Sequence, residues 1–129
     1  MNAHLIKKKE DFAHVFRNGS FLNCRSFTIN YAKKSKIVSI NSPRFGIIVS
    51  KKIGNAVQRN FVKRRIKALK NIFLNCGKNE LDYILVAKKN LLNENFKILS
   101  SQLEQTLNKI NHHEWTKKFI ASNCCVIDN

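Results

Sequence analysis

Acidic residues are scarce in this chain, which has eight Asp and Glu against twenty-four Lys and Arg and a formal net charge of +16. No acidic residue stands between Asp11 and Glu80, whereas fifteen Lys or Arg do. A surface that only needs hydration mixes charges of both signs. The shortage therefore indicates a polyanionic partner, either a nucleic acid or an anionic membrane, although a biased codon supply could contribute to the lysine content.

Proline and glycine are scarce as well, with Pro43 alone and four glycines in the whole chain. We find no internal repeat and no low-complexity linker that would separate two folding units. A length of 129 residues suits one domain with one hydrophobic core. The sequence therefore predicts a single compact domain.

Long apolar runs are absent, and nothing approaches the roughly 20 residues that a membrane-spanning helix needs. The first residues, MNAHLIKKK, lack the apolar stretch and cleavage site of a signal peptide. We therefore expect a cytoplasmic protein whose four cysteines stay reduced, since they form no C-x-x-C pair and no disulfide framework.

Metal ligands and catalytic groups are also poorly represented. A zinc site could be assembled from His112, His113, Cys124 and Cys125, but ligands adjacent in sequence rarely reach one tetrahedral ion together. The few carboxylates fall in no recognisable catalytic pattern. We therefore expect neither a catalytic residue nor a metal bound by the protein itself.

Apolar spacing in the first half of the chain predicts one helix and then strands. Helical spacing covers residues 9 to 18, and Gly19 would end this helix in a left-handed conformation. Residues 25–33 alternate with a period of two and predict a strand, as do residues 45–50. The polar segment 33–44 would connect them as a long or partly paired hairpin.

The second half of the chain predicts two helices around one strand. A helix capped by Asn55 should run from residue 56 to about residue 73, and the nearly apolar segment 81–87 should be a strand covered on both faces. A final amphipathic helix has its apolar side at Phe96, Leu99, Leu103, Leu107 and Ile110. The predicted order is αβββαβα or close to it, an α+β domain.

The central helix has two unlike halves on a helical wheel. One half is predicted to pack on the body of the protein: Val57, Phe61, Val62, Ile66, Ala68, Leu69, Ile72 and Phe73. The other half is cationic, with Asn60 and Asn71 among Arg59, Lys63, Arg64, Lys67 and Lys70. Arg65 falls inside the apolar half beside Gln58, so it must reach an edge or find a hydrogen-bond acceptor.

Such a helix could bind RNA, lie on a membrane or dock into an acidic protein groove. RNA is favoured because the asparagine amides can bond to ribose, phosphate or base edges, and because the apolar half is predicted to pack internally. The preceding turn adds Gly54 and the free N–H groups of a helix start, a geometry that binds anions.

The segment SKKIGNAVQRNFVKRR, residues 50–65, resembles the signature of the bacterial ribonuclease P protein family, in which a lysine pair, Gly-Asn-Ala-Val and Arg-Asn precede a basic cluster. The resemblance extends to Asp11-Phe12, Arg44-Phe45-Gly46 and Asp82-Tyr83 and covers residues 5 to 111. It implies an αβββαβα sandwich with a four-stranded mixed sheet and a left-handed βαβ crossover, ribosomal protein S5 domain 2-like. The RNA-binding domain would span residues 1–111, with residues 112–129 as a short helix or flexible tail.

By this resemblance, the chain would be the protein subunit of a ribozyme that removes the 5′ leader from precursor tRNA. The RNA subunit, with Mg²⁺, would carry out the hydrolysis, and the protein alone would bind no cofactor. The expected partners are ribonuclease P RNA and precursor tRNA, with no membrane and no stable protein partner. The alternative is a general structured-RNA or ribosome-binding module without processing activity.

The resemblance also implies which residues contact RNA. The surface for the RNA subunit would comprise Lys51, Lys52, Asn55, Arg59, Asn60, Lys63 and Arg64, and Lys67 extends it along the cationic half of the helix. Phe12 and Phe16 match aromatic positions of a leader-binding cleft, where an unpaired base could stack, and their alternative role is in the hydrophobic core. Asn30 falls where an aromatic cleft residue is common, and Tyr31 would point to the opposite face of the sheet.

Overall fold

The computed structural model describes residues 4–34 and 42–113. The strands in these two ranges are β1 (His4–Leu5), β2 (Ser20–Asn23), β3 (Phe27–Lys33), β4 (Arg44–Ile48) and β5 (Leu81–Ala87). The helices are α1 (Lys9–Asn18), α2 (Ala56–Lys67), α3 (Lys70–Cys76) and α4 (Phe96–His113), and short 3₁₀ turns at Lys51–Ile53 and Lys89–Leu92 precede α2 and α4. The predicted hairpin of the strands on either side of segment 33–44 is wrong, because β5 lies between β3 and β4 and pairs with both. The connection itself falls mostly outside the described residues, as do residues 114–129 of the predicted extension 112–129.

The strands form one mixed sheet in the order β1-β4-β5-β3-β2. Strands β4 and β5 run parallel, with Arg44 opposite Asp82, and β3 runs antiparallel to β5 and to β2. The segment between β4 and β5 contains α2 and α3, so it forms the expected βαβ connection. The four-stranded mixed sheet and the α+β class are confirmed, with β1 as a two-residue addition beside β4. The left-handed crossover stays a prediction.

Two hydrophobic clusters lie on opposite faces of the sheet. Alternation along β3 sends Phe27, Ile29 and Tyr31 into the larger cluster, which also contains the buried sides of α2, α3 and α4. The smaller cluster joins Val15 of α1 to Ala32 and to the strand β5. Full burial of each large apolar side chain contributes about 1.5–3 kcal/mol, so the larger cluster dominates the stability of the fold.

The central helix is divided, contrary to the prediction of one helix over residues 56–73. It breaks at Ala68 and Leu69, where Leu69 adopts φ −89° and ψ 4°. Beyond the break, the ring of Phe73 of α3 stacks on Phe45 of β4 at a centroid distance of 4.5 Å. The apolar spacing continues in steps of three and four across the break, so the sequence period did not reveal it.

Gly19 ends α1 for a different reason from the one predicted. Its backbone is extended, at φ −105° and ψ −173°, and not left-handed. A Cβ atom at this position would lie 2.6 Å from the carbonyl oxygen of Val15 and would also overlap that of Tyr31. Glycine is therefore needed because the chain passes directly from α1 into β2 against β3.

Arg44 joins three elements of the fold through its guanidinium. Its Nε and Nη2 donate to the two carboxylate oxygens of Asp82 at 2.8 and 2.5 Å, and Nη1 donates to Asp11 of α1 at 3.4 Å. Arg44 is 7% exposed and Asp82 1% exposed. The hydrogen bond with Asp82 raises the pKa of Arg44, which favours the charged guanidinium inside the protein. Three segments that carry the family resemblance therefore meet in one structural contact.

Burial shifts the pKa of two further groups. Desolvation lowers the pKa of Lys34, whose ammonium donates to the carbonyl oxygens of Ser42, just before β4, and Asn79, just before β5. Desolvation raises the pKa of the Cys76 thiol at the end of α3, which disfavours the reactive thiolate. Lys34 thereby joins the end of β3 to the segments that lead into β4 and β5.

Candidate nucleic-acid interface

The turn before α2 holds the start of the helix in place. Asn55 Oδ1 accepts from the backbone N–H of Gln58 at 2.9 Å, and Gln58 Oε1 accepts from the backbone N–H of Asn55 at 2.9 Å. This capping box confirms the predicted cap. Gly54 precedes it at φ +153°, and a Cβ there would overlap the Gln58 side chain. The glycine is therefore required by the backbone geometry of the cap.

Seven of the eight residues predicted to bind RNA are exposed, and Arg59 is half-buried. Arg59 Nη1 donates to the carbonyl oxygen of Gly54 at 2.9 Å, which holds its guanidinium against the turn. The salt bridges within residues 4–34 and 42–113 include none of the cations of α2. We define the cationic face by the residues that α2 and its turn expose together: Lys51, Lys52, Asn55, Arg59, Asn60, Lys63, Arg64 and Lys67.

The apolar half of α2 packs only along a narrow strip. Val62 and Ile66 are buried, but Val57 is 76% exposed and Phe61 is 38% exposed, and Ala68 is exposed as well. The prediction that the whole apolar half packs is therefore wrong. The physical reason is that α2 lies against the two small 3₁₀ turns, which cover a strip and not half of the helix.

Arg65 finds acceptors in the backbone, as its position on the wheel required. Its Nη1 donates to the carbonyl oxygens of Leu91 and Glu94 at 3.2 and 2.5 Å. Its guanidinium also lies over the rings of Phe61 and Phe96, with centroid distances of 5.2 and 5.8 Å. Phe96 is 39% exposed, so it departs from the predicted packed side of α4, whose four leucine and isoleucine positions are buried. Arg65 thus belongs to the junction of α2 and α4.

The proposed cleft residues lie on the other side of the sheet, with α1. Phe12 is half-buried against the smaller cluster, and its ring covers Gly46 so closely that a Cβ there would lie 2.7 Å from it. Phe16 is about half exposed. Asn30 is half-buried on β3, and Tyr31 is buried on the opposite face, as alternation predicts. The structure therefore brings all three candidates to the α1 side.

One polar cavity was not indicated by the sequence. It has a volume of about 290 Å³ and is lined by Arg25, Asn90, Asn93 and Glu94, beside the start of α4. Ser26 and Gln102 donate to Glu94 Oε1 at 3.3 and 3.4 Å, and the Arg25 guanidinium lies 3.8 Å from the same oxygen. These partners come from distant parts of the chain, so sequence spacing carried no signal for them.

No group of three His, Cys, Asp or Glu side chains in the described part of the chain is arranged to hold a metal ion. The zinc set of His112, His113, Cys124 and Cys125 involves side chains outside the described residues. Within the same part of the chain, no helix combines the length and the apolar character needed to cross a membrane.

Curated relatives are similar in sequence to this chain over most of its length. Residues 1–111 match the Ribonuclease P family. The chain is 34% identical over 99 residues to the ribonuclease P protein component of Carboxydothermus hydrogenoformans, an alignment that covers 76% of this chain and 83% of the relative. It is 40% identical over 104 residues to the same component from Oenococcus oeni, with coverages of 79% and 84%.

Solved structures share the fold. A Staphylococcus aureus RNase P protein mutant with defective mRNA degradation activity is similar with a TM-score of 0.72 and 29% identity, covering 84% of this chain and 88% of the other. The RNase P protein from Thermotoga maritima, at 22% identity, has a TM-score of 0.70 with coverages of 83% and 97%. The chain therefore belongs to the ribonuclease P protein family, the protein components of a ribonuclease that processes tRNA.

Proposed function

We propose that this chain binds ribonuclease P RNA through the cationic face and assists removal of the 5′ leader from precursor tRNA. The observation that supports this most is the state of Lys63, Arg64 and Lys67, which are exposed and make no hydrogen bond or ion pair with any described residue. Charges left without protein acceptors in so basic a chain favour a polyanion. Phosphates would provide those acceptors.

The geometry of α2 suits a folded RNA. Its start presents N–H groups and the positive end of the helix dipole, next to Lys51 and Lys52. Asn60 is exposed among the cations and offers both a donor and an acceptor to ribose or base edges. Because each neutralised phosphate releases counterions, binding should weaken steeply as salt increases.

The chemistry under this proposal belongs to the RNA subunit and its Mg²⁺ ions. The protein side chains bind the RNA subunit and hold the substrate close to it, so the protein acts as a subunit of an RNA-based endoribonuclease in the cytoplasm. A single-stranded 5′ leader would lie on the α1 side of the sheet. There the half-exposed ring of Phe16 offers a stacking surface, and Asn30 offers an amide on the face of β3 that α1 covers.

A cleavage assay with a leader-length series tests the proposal. The full chain is added to ribonuclease P RNA at moderate Mg²⁺, and the rate of 5′ cleavage is measured for precursor tRNAs with leaders of increasing length. We expect the protein to enhance cleavage, and Phe16→Ala to reduce the enhancement only for substrates whose leader is long enough to reach the cleft. Loss of one stacked base corresponds to about 1–3 kcal/mol of substrate affinity.

Mature tRNA serves as the matched control ligand, because it lacks the leader and should bind wild type and Phe16→Ala equally. No enhancement at any salt concentration would overturn the assignment to ribonuclease P. Equal affinity for precursor tRNA, mature tRNA and unrelated structured RNAs would instead identify the general RNA-binding module.

A further inference from the structure

Besides its cationic face, α2 carries an exposed apolar ridge. We propose that this ridge, formed by Val57 and Phe61 with Phe96 of α4, is a stacking site for an unpaired nucleobase of the bound RNA. The inference rests on the proposed function, because it concerns the same RNA. It adds a stacking contact to the face of a base, which the cations and amides of the cationic face do not provide.

The rings are exposed, and the cation between them is held in place. Phe61 and Phe96 are 38% and 39% exposed, and Val57 is 76% exposed. Arg65 lies over both rings, at 5.2 and 5.8 Å from their centroids, and its Nη1 is fixed by the carbonyl oxygens of Leu91 and Glu94. Aromatic rings and the planes of guanidinium groups are surfaces on which unpaired bases stack. The hydrogen bonds of Arg65 therefore order this surface before RNA binds.

The ridge borders the cationic face along the helix. Phe61 is followed after one further turn by Arg64, and Val57 is followed in the same way by Asn60, so each apolar side chain has a polar or cationic neighbour at i+3. In a nucleotide, a phosphate is covalently linked to a base through the ribose. A phosphate on Arg64 therefore brings an adjoining base within reach of Phe61.

Charge decides between the possible occupants of the ridge. A membrane-binding helix needs an apolar face along its length, whereas this ridge consists of one valine and two rings beside Arg64 and Arg65. A protein partner would have to place a carboxylate on Arg64, because Arg65 already has backbone acceptors. A nucleotide supplies both a π-face for the rings and a phosphate for the cation, so we assign the ridge to RNA.

The decisive experiment compares Phe61→Leu with Phe61→Tyr in the full chain, titrated with ribonuclease P RNA. Leucine keeps apolar volume but has no π-face, and we expect it to weaken binding roughly 5- to 100-fold. Tyrosine keeps the ring and should bind like wild type. Ile98→Ala is the matched control, because Ile98 is an exposed apolar residue of α4 outside the ridge, and its loss should leave RNA affinity unchanged.

Two readouts separate stacking from a loss of fold or charge. Phe61→Leu should leave the dependence of binding on salt unchanged, because it removes no phosphate contact, whereas Arg64→Met should make the logarithmic salt slope less negative by about 0.7–0.9. In a Phe61→Trp, Trp115→Phe chain, the single remaining tryptophan should lose emission when RNA binds. Unchanged emission, or equal affinity of Phe61→Leu and wild type, would overturn the stacking site.

The outcomes also distinguish this inference from the function on which it rests. If Arg64→Met weakens RNA binding and Phe61→Leu does not, only the stacking site is wrong. If neither substitution changes affinity for ribonuclease P RNA, the proposed function fails as well. Phe61-dependent binding to anionic vesicles without Phe61-dependent RNA binding would identify the ridge as a membrane contact and overturn the assignment.

Discussion

Arg44 and Arg64 carry the same guanidinium, but the protein encloses one and leaves the other facing solvent. Arg44 bonds to both oxygens of Asp82 and to Asp11, and it is almost fully buried. Arg64 is exposed and has no acceptor among the residues the structure describes. Arg65, the next residue along, is tied to two backbone carbonyls. The comparison teaches that the acceptors around a cation, and not its charge, decide whether it supports the fold or remains available to a ligand.

The largest expected effect comes from Arg44→Met. This change leaves Asp82 buried without its partner, and removal of one member of a buried ion pair costs about 3–5 kcal/mol. The free energy of unfolding in urea measures the loss. Arg64→Met is the matched control and should change stability by no more than about 0.5 kcal/mol. Similar losses for both variants would contradict the comparison.

A smaller loss of stability is expected for Arg65→Met. The substitution removes the bonds to Leu91 and Glu94, and hydrogen bonds from a charged donor contribute about 1.5–3 kcal/mol. The salt dependence of RNA binding should stay as in wild type, since this guanidinium already has protein acceptors. Urea unfolding and a salt titration on the same variant give both values. A shallower salt dependence with unchanged stability would instead show that Arg65, like Arg64, contacts a phosphate.

The smallest effect concerns Arg64→Met, whose stability should be that of wild type. Removal of one phosphate contact should make the logarithmic salt slope of RNA binding less negative by about 0.7–0.9. Lys109→Met, on α4, removes the same charge elsewhere and serves as the control for total charge. If both substitutions change the slope equally, the binding reflects overall charge and not the cationic face.

Patterns within a few residues of sequence predicted the helix, strand and cap that depend on contacts between neighbouring residues. The bounds of α1 and β5 and the Asn55 cap agree with the sequence because helix spacing, an apolar run and a capping box act within a few residues. The break at Ala68 escaped detection because the apolar period continues through it. The exposure of Phe61 and the acceptors of Arg65 depend on a turn 26 or more residues away, which periodicity does not describe.

The exposed sites on α2 also divide into features that depend on nearby residues and features that depend on distant ones. Which residues form its cationic half could be predicted, because the wheel depends only on spacing. Which apolar residues remain uncovered could not, because that depends on the width of the neighbouring 3₁₀ turns. Phe61 and Phe96 are 35 residues apart in the sequence, and only the fold places Arg65 between their rings.

The break between α2 and α3 sets a length scale for recognition. Twelve residues at a rise of 1.5 Å each make α2 a rod about 18 Å long. Beyond it α3 begins, and its Phe73 packs against Phe45 of the sheet. A groove or backbone stretch of RNA can therefore follow this rod only over that span. The helical part of the cationic face therefore spans no more than about 18 Å of the RNA surface, however many lysines the chain contains.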